Sequence, residues 1–254
     1  MKKKHICLVM AFITSFLFII LLLVFFSNFL FISQRPVIDE KLSTIDFAEL
    51  NSLYGYQYDW EAFDYSTWFD NLEKIERDLF AYLNTKQSIG VDIQYYLPFL
   101  DIAYSQDRRI RLINWYKDTG GTLHEYTTLV QYIPLSGEPV VFVLSDIKRF
   151  FSIYDLNDNI YLLVGGQKLD GSTVALNYGT IKIENDEPIL YDGFNGEPFL
   201  SDYIQPPYNE RNELSYIADD YIPRGGLPWT IYLRCNDRSY VFDRERYIGN
   251  YYGL

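Results

Sequence analysis

The hydrophobic pattern takes three forms along this chain. It starts with an unbroken apolar run from Ile6 to Ile32, 27 residues without a charge, interrupted by clearly polar groups only at Thr14, Ser15, Ser27 and Asn28. A helix rises ~1.5 Å per residue and a bilayer core is ~30 Å thick, so such a run spans a membrane with residues to spare. Further on, Trp68, Phe69, Leu72, Ile75, Leu79, Tyr82 and Leu83 recur at helical spacing. With Thr67 and Asp70 read as a capping box and Glu73–Arg77 as a supporting pair, they predict a helix over 67–84. A shorter helix is expected around Asp46–Leu53.

From about Ile89 the period becomes two. Candidate strands are Arg109–Tyr116, Leu123–Ile133, Val140–Leu144, Phe150–Asp155, Ile160–Val164, Val174–Ile183, Trp229–Cys235 and Ser239–Asp243. Turn signals separate several of them: Asp118-Thr-Gly-Gly121, Asn157-Asp-Asn159, Lys168-Leu-Asp-Gly171, Asn185-Asp186 and Asn236-Asp237. Short connections of this kind imply antiparallel pairing, because a parallel crossover needs a dozen or more residues. Residues 192–212, rich in Gly and Pro, read as the longest irregular stretch. The expected fold class is therefore mainly β (α+β), an antiparallel sheet closed like a barrel or stacked as a sandwich. The expected organisation is a cytoplasmic tail (1–5), a transmembrane signal anchor (6–32), a tether (33–41), a helical lead-in (42–88) and the β domain (89–254).

The flanks of the apolar run set its orientation. Lys2, Lys3 and Lys4 precede it, whereas Arg35 and Lys41 follow among Asp39, Glu40 and Asp46. Basic residues stay in the cytoplasm, so the N-terminus is expected inside and everything after Ser33 outside the cytoplasmic membrane, with residues 6–32 partnered by lipid. A cleaved secretory signal has an apolar core of ~7–15 residues and a small-residue cleavage site. This core is longer, and no alanine occurs between Ala11 and Ala48, so an uncleaved anchor is the expectation. Cys7, at the inner edge of the run, reads as a small hydrophobe.

Charge narrows the partners. Residues 1–35 carry four basic residues and no acid, so the part from Pro36 onward sets 34 acids against 18 Lys plus Arg, a net charge of −16. That field repels phosphate backbones, and no nucleic-acid partner is expected. Cys235 is the sole cysteine beyond the anchor and cannot form an internal disulfide there. All 24 tyrosines and all four tryptophans also lie beyond the anchor, a supply of amphipathic rings suited to half-buried sheet surfaces and to contact with ligands.

Candidate chemistry is sparse. His124 is the only histidine outside the tail, and alternation puts it on one strand face with Tyr126, Thr128, Val130 and Tyr132. It could serve as a general base beside Glu125 or Asp118, but a hydrogen-bonded structural histidine is the favoured reading. No Gly-x-Ser-x-Gly elbow supports a serine nucleophile. One histidine and one cysteine cannot build a zinc site. Asp155-Leu-Asn157-Asp-Asn159 opens like a calcium loop, yet Ile160 stands where glycine is needed and Gly166 where the last acid is needed, so it reads as a hairpin turn. Neither metal nor cofactor is expected. Trp115, Tyr126, Tyr132 and Trp229 are the candidate binding residues.

One local pattern carries a resemblance. Ser105-x-Asp107-Arg-Arg109 leading to Trp115, then Asp118-Thr-Gly-Gly-Thr122-x-His124 and Gln131-Tyr132, resembles an uncharacterised family of exported bacterial envelope proteins. The likeness covers about 30 residues, with a looser one at Ile160–Asp192, and Tyr116 and Lys117 depart from it where an acid would follow the tryptophan. The resemblance implies a β-rich exported domain without an assigned activity. The functional expectation is a non-catalytic, membrane-anchored protein that presents an acidic, aromatic-rich β domain for binding an envelope protein or saccharide. The alternative is a hydrolase of an envelope polymer, such as a saccharide or peptidoglycan, acting through a carboxylate pair.

Overall fold

A computed structural model describes residues 45–59, 61–117, 123–135, 137–145, 148–157, 159–170, 172–205, 227–233 and 238–251. The expected anchor and tether lie outside these residues, as do Asp118, Cys235 and the turns at 118–121 and 236–237. Among the described residues no helix is long and apolar enough to cross a membrane.

Two capped helices open the described chain. In α1 (Phe47–Gly55) the Asp46 side chain accepts the Glu49 N–H at 3.0 Å. In α2 (Tyr65–Leu83) the cap is Asp64, whose carboxylate accepts both the N–H and the hydroxyl of Thr67 at 2.9 Å. The expected capping box is thus displaced by three residues: Asp64 holds the extended backbone that an N-cap requires, and Thr67 lies inside the first turn as a donor. The apolar stripe of α2 is buried as its spacing predicts, with Trp68, Ile75, Leu79 and Leu83 at 0% exposure. A single turn, α3 (Ile93–Tyr96), completes the helical layer.

Twelve described strands follow in three antiparallel sheets. The first is a meander of β1 (Asp101–Tyr104), β2 (Ile110–Lys117), β3 (Glu125–Tyr132) and β4 (Val140–Ser145). The second joins β5 (Ser152–Asn157), β6 (Ile160–Lys168), β7 (Val174–Glu184) and β8 (Glu187–Leu190), with β9 (Phe199–Ile204) sharing the outer edge of β7 end to end with β8. The third is β10 (Thr230–Leu233), β11 (Arg238–Phe242) and β12 (Tyr247–Tyr251). No described sheet closes on itself, so stacking, not barrel closure, is the arrangement.

The order of the layers follows from which side chains meet. Ile110, Leu112, Val130 and Tyr132 of the first sheet form one core with Tyr161, Leu163, Ile181 and Ile183 of the second. On its other face the second sheet offers Leu162, Val164, Leu176 and Tyr178 to Ile231, Leu233, Tyr240 and Phe242 of the third. The second sheet is therefore covered on both faces, which explains why Ile160–Val164 is apolar at every position instead of every other one. The first sheet is also double-sided, because α1–α3 cover its outer face. The helical residues belong to the same compact unit as the sheets, which extends over 44–254.

Two buried polar knots hold adjacent layers in register. Toward the second sheet, Asn114 donates to the Phe150 carbonyl (2.7 Å) and accepts from the Phe150 N–H (3.2 Å) and the Thr128 hydroxyl (2.6 Å). The amide side chain thus substitutes for a strand partner where the chain passes from β4 to β5. There β6 lies so close that a Cβ on Gly165 would sit 1.8 Å from the Arg149 carbonyl oxygen. Toward the helices, Arg111, 1% exposed, donates to the Ser88 carbonyl (2.8 Å), the Val91 carbonyl (3.4 Å) and the Gln131 side-chain oxygen (2.6 Å). Gln131 in turn donates to the Leu83 carbonyl and to the Ser88 hydroxyl.

Four strands depart from the sequence expectation. The strand β9 lies within the stretch read as irregular, and β1, β8 and β12 were not expected. Each is held in place by a neighbour: β1 by the longer β2, β8 and β9 by the longer β7, and β12 by β11.

Replacing Arg111 with Met should destabilise the protein by about 3–5 kcal/mol, because two backbone carbonyls and the Gln131 amide would lose a charged donor inside the structure. Arg111→Lys should fall between the two, since a single ammonium cannot reproduce the planar fork. Denaturant unfolding of the three proteins measures this, and a Met variant as stable as the parent would remove the clamp from the account.

Candidate functional site

The structure separates the residues singled out from the sequence. Trp115 is 1% exposed and points toward the helical layer, while Tyr132, fully buried, points toward the second sheet. Both rings are walled in, which corrects their assignment as surface contacts: β2 and β3 are covered on both faces, so alternation leaves neither residue an open side. Trp229 is 52% exposed, but it belongs to the third sheet, tilted against Phe242 at 6.1 Å. Only His124, Tyr116 and Tyr126 come together. The His124 and Tyr126 rings stand 5.2 and 5.5 Å from Tyr116, and the His124 N–H donates to the Lys168 carbonyl at 3.0 Å. Glu125 opens β3 in register with Lys117. Asp118 lies outside the described residues.

A polar junction forms where the β1–β2 turn meets the second sheet. Ser105 donates to one Asp107 oxygen at 2.6 Å, the Arg109 N–H donates to the same oxygen at 3.0 Å, and the Tyr161 hydroxyl donates to the other at 3.0 Å. Burial would raise the Asp107 carboxyl, but these donors outweigh it and hold it below the usual carboxylate range. Asp155 is pulled the other way: burial first, then the charge of Asp107, raise it, against the Gln106 N–H that it accepts at 3.3 Å. The β7–β8 turn supplies a third acid. Asn185 and Asp186 have φ of 53° and 64°, the left-handed pair of a two-residue hairpin. That turn brings Asp186 to Arg109 at 3.0 Å and to the Tyr132 hydroxyl at 2.5 Å. Burial and this carboxylate push Tyr132 up to about 12. Among the described residues no group of three or more His, Cys, Asp or Glu is arranged to hold a metal ion.

The open site lies on the other face of the first sheet. Where α2 crosses β3 and β4 it leaves a groove of about 480 Å³. Leu129 and Val143 form its floor, and Phe80 and Ala81 form the helix wall. The two glutamates Glu73 and Glu76 line it from α2 together with Arg77. Glu76 is fixed by the Thr127 hydroxyl at 2.6 Å, and the Arg77 guanidinium is turned to Asp78 at 3.1 Å. The result is an apolar slot with two carboxylates at its mouth and one cation already answered. Val143 is 48% exposed within it. The helix period and the strand period each show in the sequence, but the groove exists only where they cross. Nothing short of the tertiary pairing could have marked it.

Comparison with known proteins finds no family model, no curated protein and no solved structure that matches this chain.

The opposed carboxyls at the junction predict a pH signature. With its folded-state value raised, Asp155 costs stability once ionised, so its favourable contribution is present at low pH and lost as pH rises through the raised value. Asp155→Asn keeps an acceptor for Gln106 and removes the repulsion. Its melting temperature should exceed the parent's at neutral pH, and the gap should close on acidification below the ordinary carboxylate range. Thermal melts across that range test this; a variant less stable by the same amount at every pH contradicts it.

Proposed function

We propose that this chain is a non-catalytic, membrane-anchored binding protein, held by residues 6–32 in a bacterial cytoplasmic membrane with its β domain outside. The reading places the ligand site in the groove between α2 and β4. That groove carries the proposal: it is concave, apolar at its floor and polar at a few fixed points, which is the usual composition of a ligand site. The lysines before the apolar run support the orientation, and the strongly acidic exported part supports a partner other than nucleic acid. The likeness to exported envelope proteins at 105–132 fits the same location.

The second reading, a hydrolase of an envelope polymer, is favoured by one observation. Asp107 and Asp155 are neighbouring carboxyls pushed apart in acidity, the pattern by which a general acid and a base divide their roles. It ranks second because both oxygens of Asp107 already accept donors from its own turn and from Tyr161, and Asp155 is committed to the Gln106 N–H. These bonds tie a turn to a sheet and leave the pair little to offer a substrate.

The full chain in lipid nanodiscs, presented with peptidoglycan fragments, glycans and peptides, should retain one class and release it unchanged. Val143→Lys should weaken that retention about tenfold or more, with melting preserved, since it fills the slot from an exposed strand position. Cut products that disappear in Asp107→Asn or Asp155→Asn would establish the hydrolase instead. Retention of no class would end the binding reading.

A further inference from the structure

We infer that the groove and the edge of β4 together form a strand-addition site for an extended peptide that carries apolar and cationic side chains in turn along its helix-facing side; this rests on the groove being the ligand site. The first observation is the edge itself. Among the described residues β4 ends its sheet, with β3 on one side and no strand on the other. An open sheet edge is normally blunted by charge, proline or a covering element. The opposite edge follows that rule: Asp101 of β1 is paired with Arg149 at 2.6 Å, and β1 lies against β5. The outer strand β8 carries Glu187 and Pro188. By contrast β4 reads Val-Val-Phe-Val-Leu-Ser, six residues with no charge and no proline. Val140 and Val143 are exposed along it, and Leu135, 86% exposed, precedes it.

The second observation is the direction in which that edge is available. Val141 turns its N–H outward to the Asn84 side-chain oxygen at 3.3 Å. Strand period puts the N–H and C=O of Val143 on the same outward side, beyond the reach of that cap. A peptide pairing there would run beside α2, and its side chains on the helix-facing side would enter the slot over Leu129 and against Phe80. Main-chain bonds to an edge supply affinity in such complexes, and pockets for alternate side chains supply selectivity.

The third observation selects the peptide. Glu73 and Glu76 stand at the slot against one cation, Arg77, whose exposed guanidinium leans to Asp78, and Glu138 lies on the β3–β4 connection, where it pairs with Lys86 at 3.0 Å. An acidic peptide would meet this rim and a chain of net charge −12 with repulsion. Side chains two residues apart share the helix-facing side of the incoming strand, so a lysine or arginine at one such position reaches the two glutamates while apolar residues two positions away fill the slot. The same acidity opposes a second copy of this chain, because edge-to-edge pairing through β4 would bring two such rims together.

The test uses the full chain in nanodiscs and three synthetic peptides about six residues long, the usual strand length. One carries valine and lysine in turn at every second position with serine between them, one has glutamate in place of lysine, and one is the lysine peptide with alternate backbone amides methylated on the edge facing β4. The lysine peptide should bind, and both of the others should bind about tenfold or more weakly. Val143→Lys and the double variant Glu73→Gln/Glu76→Gln should each weaken the lysine peptide while leaving melting unchanged. Equal binding of the methylated peptide would overturn strand addition yet leave a groove that binds. Glycan retention without peptide binding would overturn the peptide partner and leave the binding reading intact. A dimer in sedimentation that Val143→Lys dissolves would assign the edge to a second copy.

Discussion

The helical layer stays on this β protein because of one guanidinium, that of Arg111, buried with neutral partners. A helix leaves its last carbonyls without internal donors and carries partial negative charge at that end. The end of α2 is turned into the protein, so the Leu83 carbonyl and those of Ser88 and Val91 beyond it must find donors there. Gln131 and the Ser88 hydroxyl serve Leu83, while Arg111 serves the other two. Burial lowers the Arg111 pKa, and nearby Tyr104, Tyr82 and Asp92 counter that; a guanidinium nevertheless keeps its proton. Its direct acceptors are neutral, two backbone carbonyls and the Gln131 amide oxygen, so removing the guanidinium would strand them. Through Arg111 and Gln131 the clamp ties the end of α2 and the segment after it to β2 and β3.

The opposite face of the same sheet uses a different device. Asn114 and Thr128 point toward the second sheet, where Asn114 binds the Phe150 backbone and Thr128 reaches the Lys148 carbonyl, while Gly165 leaves room for β6 to touch the Arg149 carbonyl. Polar residues at alternate positions of β2 and β3 therefore serve opposite neighbours: Arg111 and Gln131 the helices, Asn114 and Thr128 the next sheet. A buried network of this kind stabilises only when every member is satisfied, and each of these side chains has its partners within hydrogen-bond distance.

That arrangement explains what could and could not be read from the chain. Hydrophobic period located α2 and the long central strands, because each buries a continuous stripe or face whatever its neighbours do. It placed α2 well but mistook Thr67 for its cap, since Asp64 and Thr67 are both good capping residues and only the backbone at Asp64 decides between them. The strands β1 and β8 were lost because four residues, with a charge or a proline among them, show little period, and β9 because glycine and proline surround it. Arg111 at an alternate position of a strand reads as a solvent-facing charge; its burial depends on the helical layer and on carbonyls 20 and 23 positions earlier. Trp115 and Tyr132 failed as surface contacts for the same reason, as both faces of their strands are covered.

The candidate chemistry was equally hidden, but its location follows a rule. Asp107 was legible as part of a Ser-x-Asp turn, whereas Asp155, Asp186 and Tyr161 come from three separate places in the second sheet and meet it only through stacking. Such a junction is where a two-sheet protein concentrates charge, because turns from both sheets emerge at one end and each carries its own capping acid. The groove is the converse. It lies where two regular elements part company at a sheet edge, so it is lined by core-type side chains and rimmed by the polar stripe of a helix. Acids committed to holding turns are poorly placed to do chemistry. The apolar slot lies beside a strand that, among the described residues, ends its sheet, and on that ground the binding proposal rests on the groove more than on the carboxyl junction.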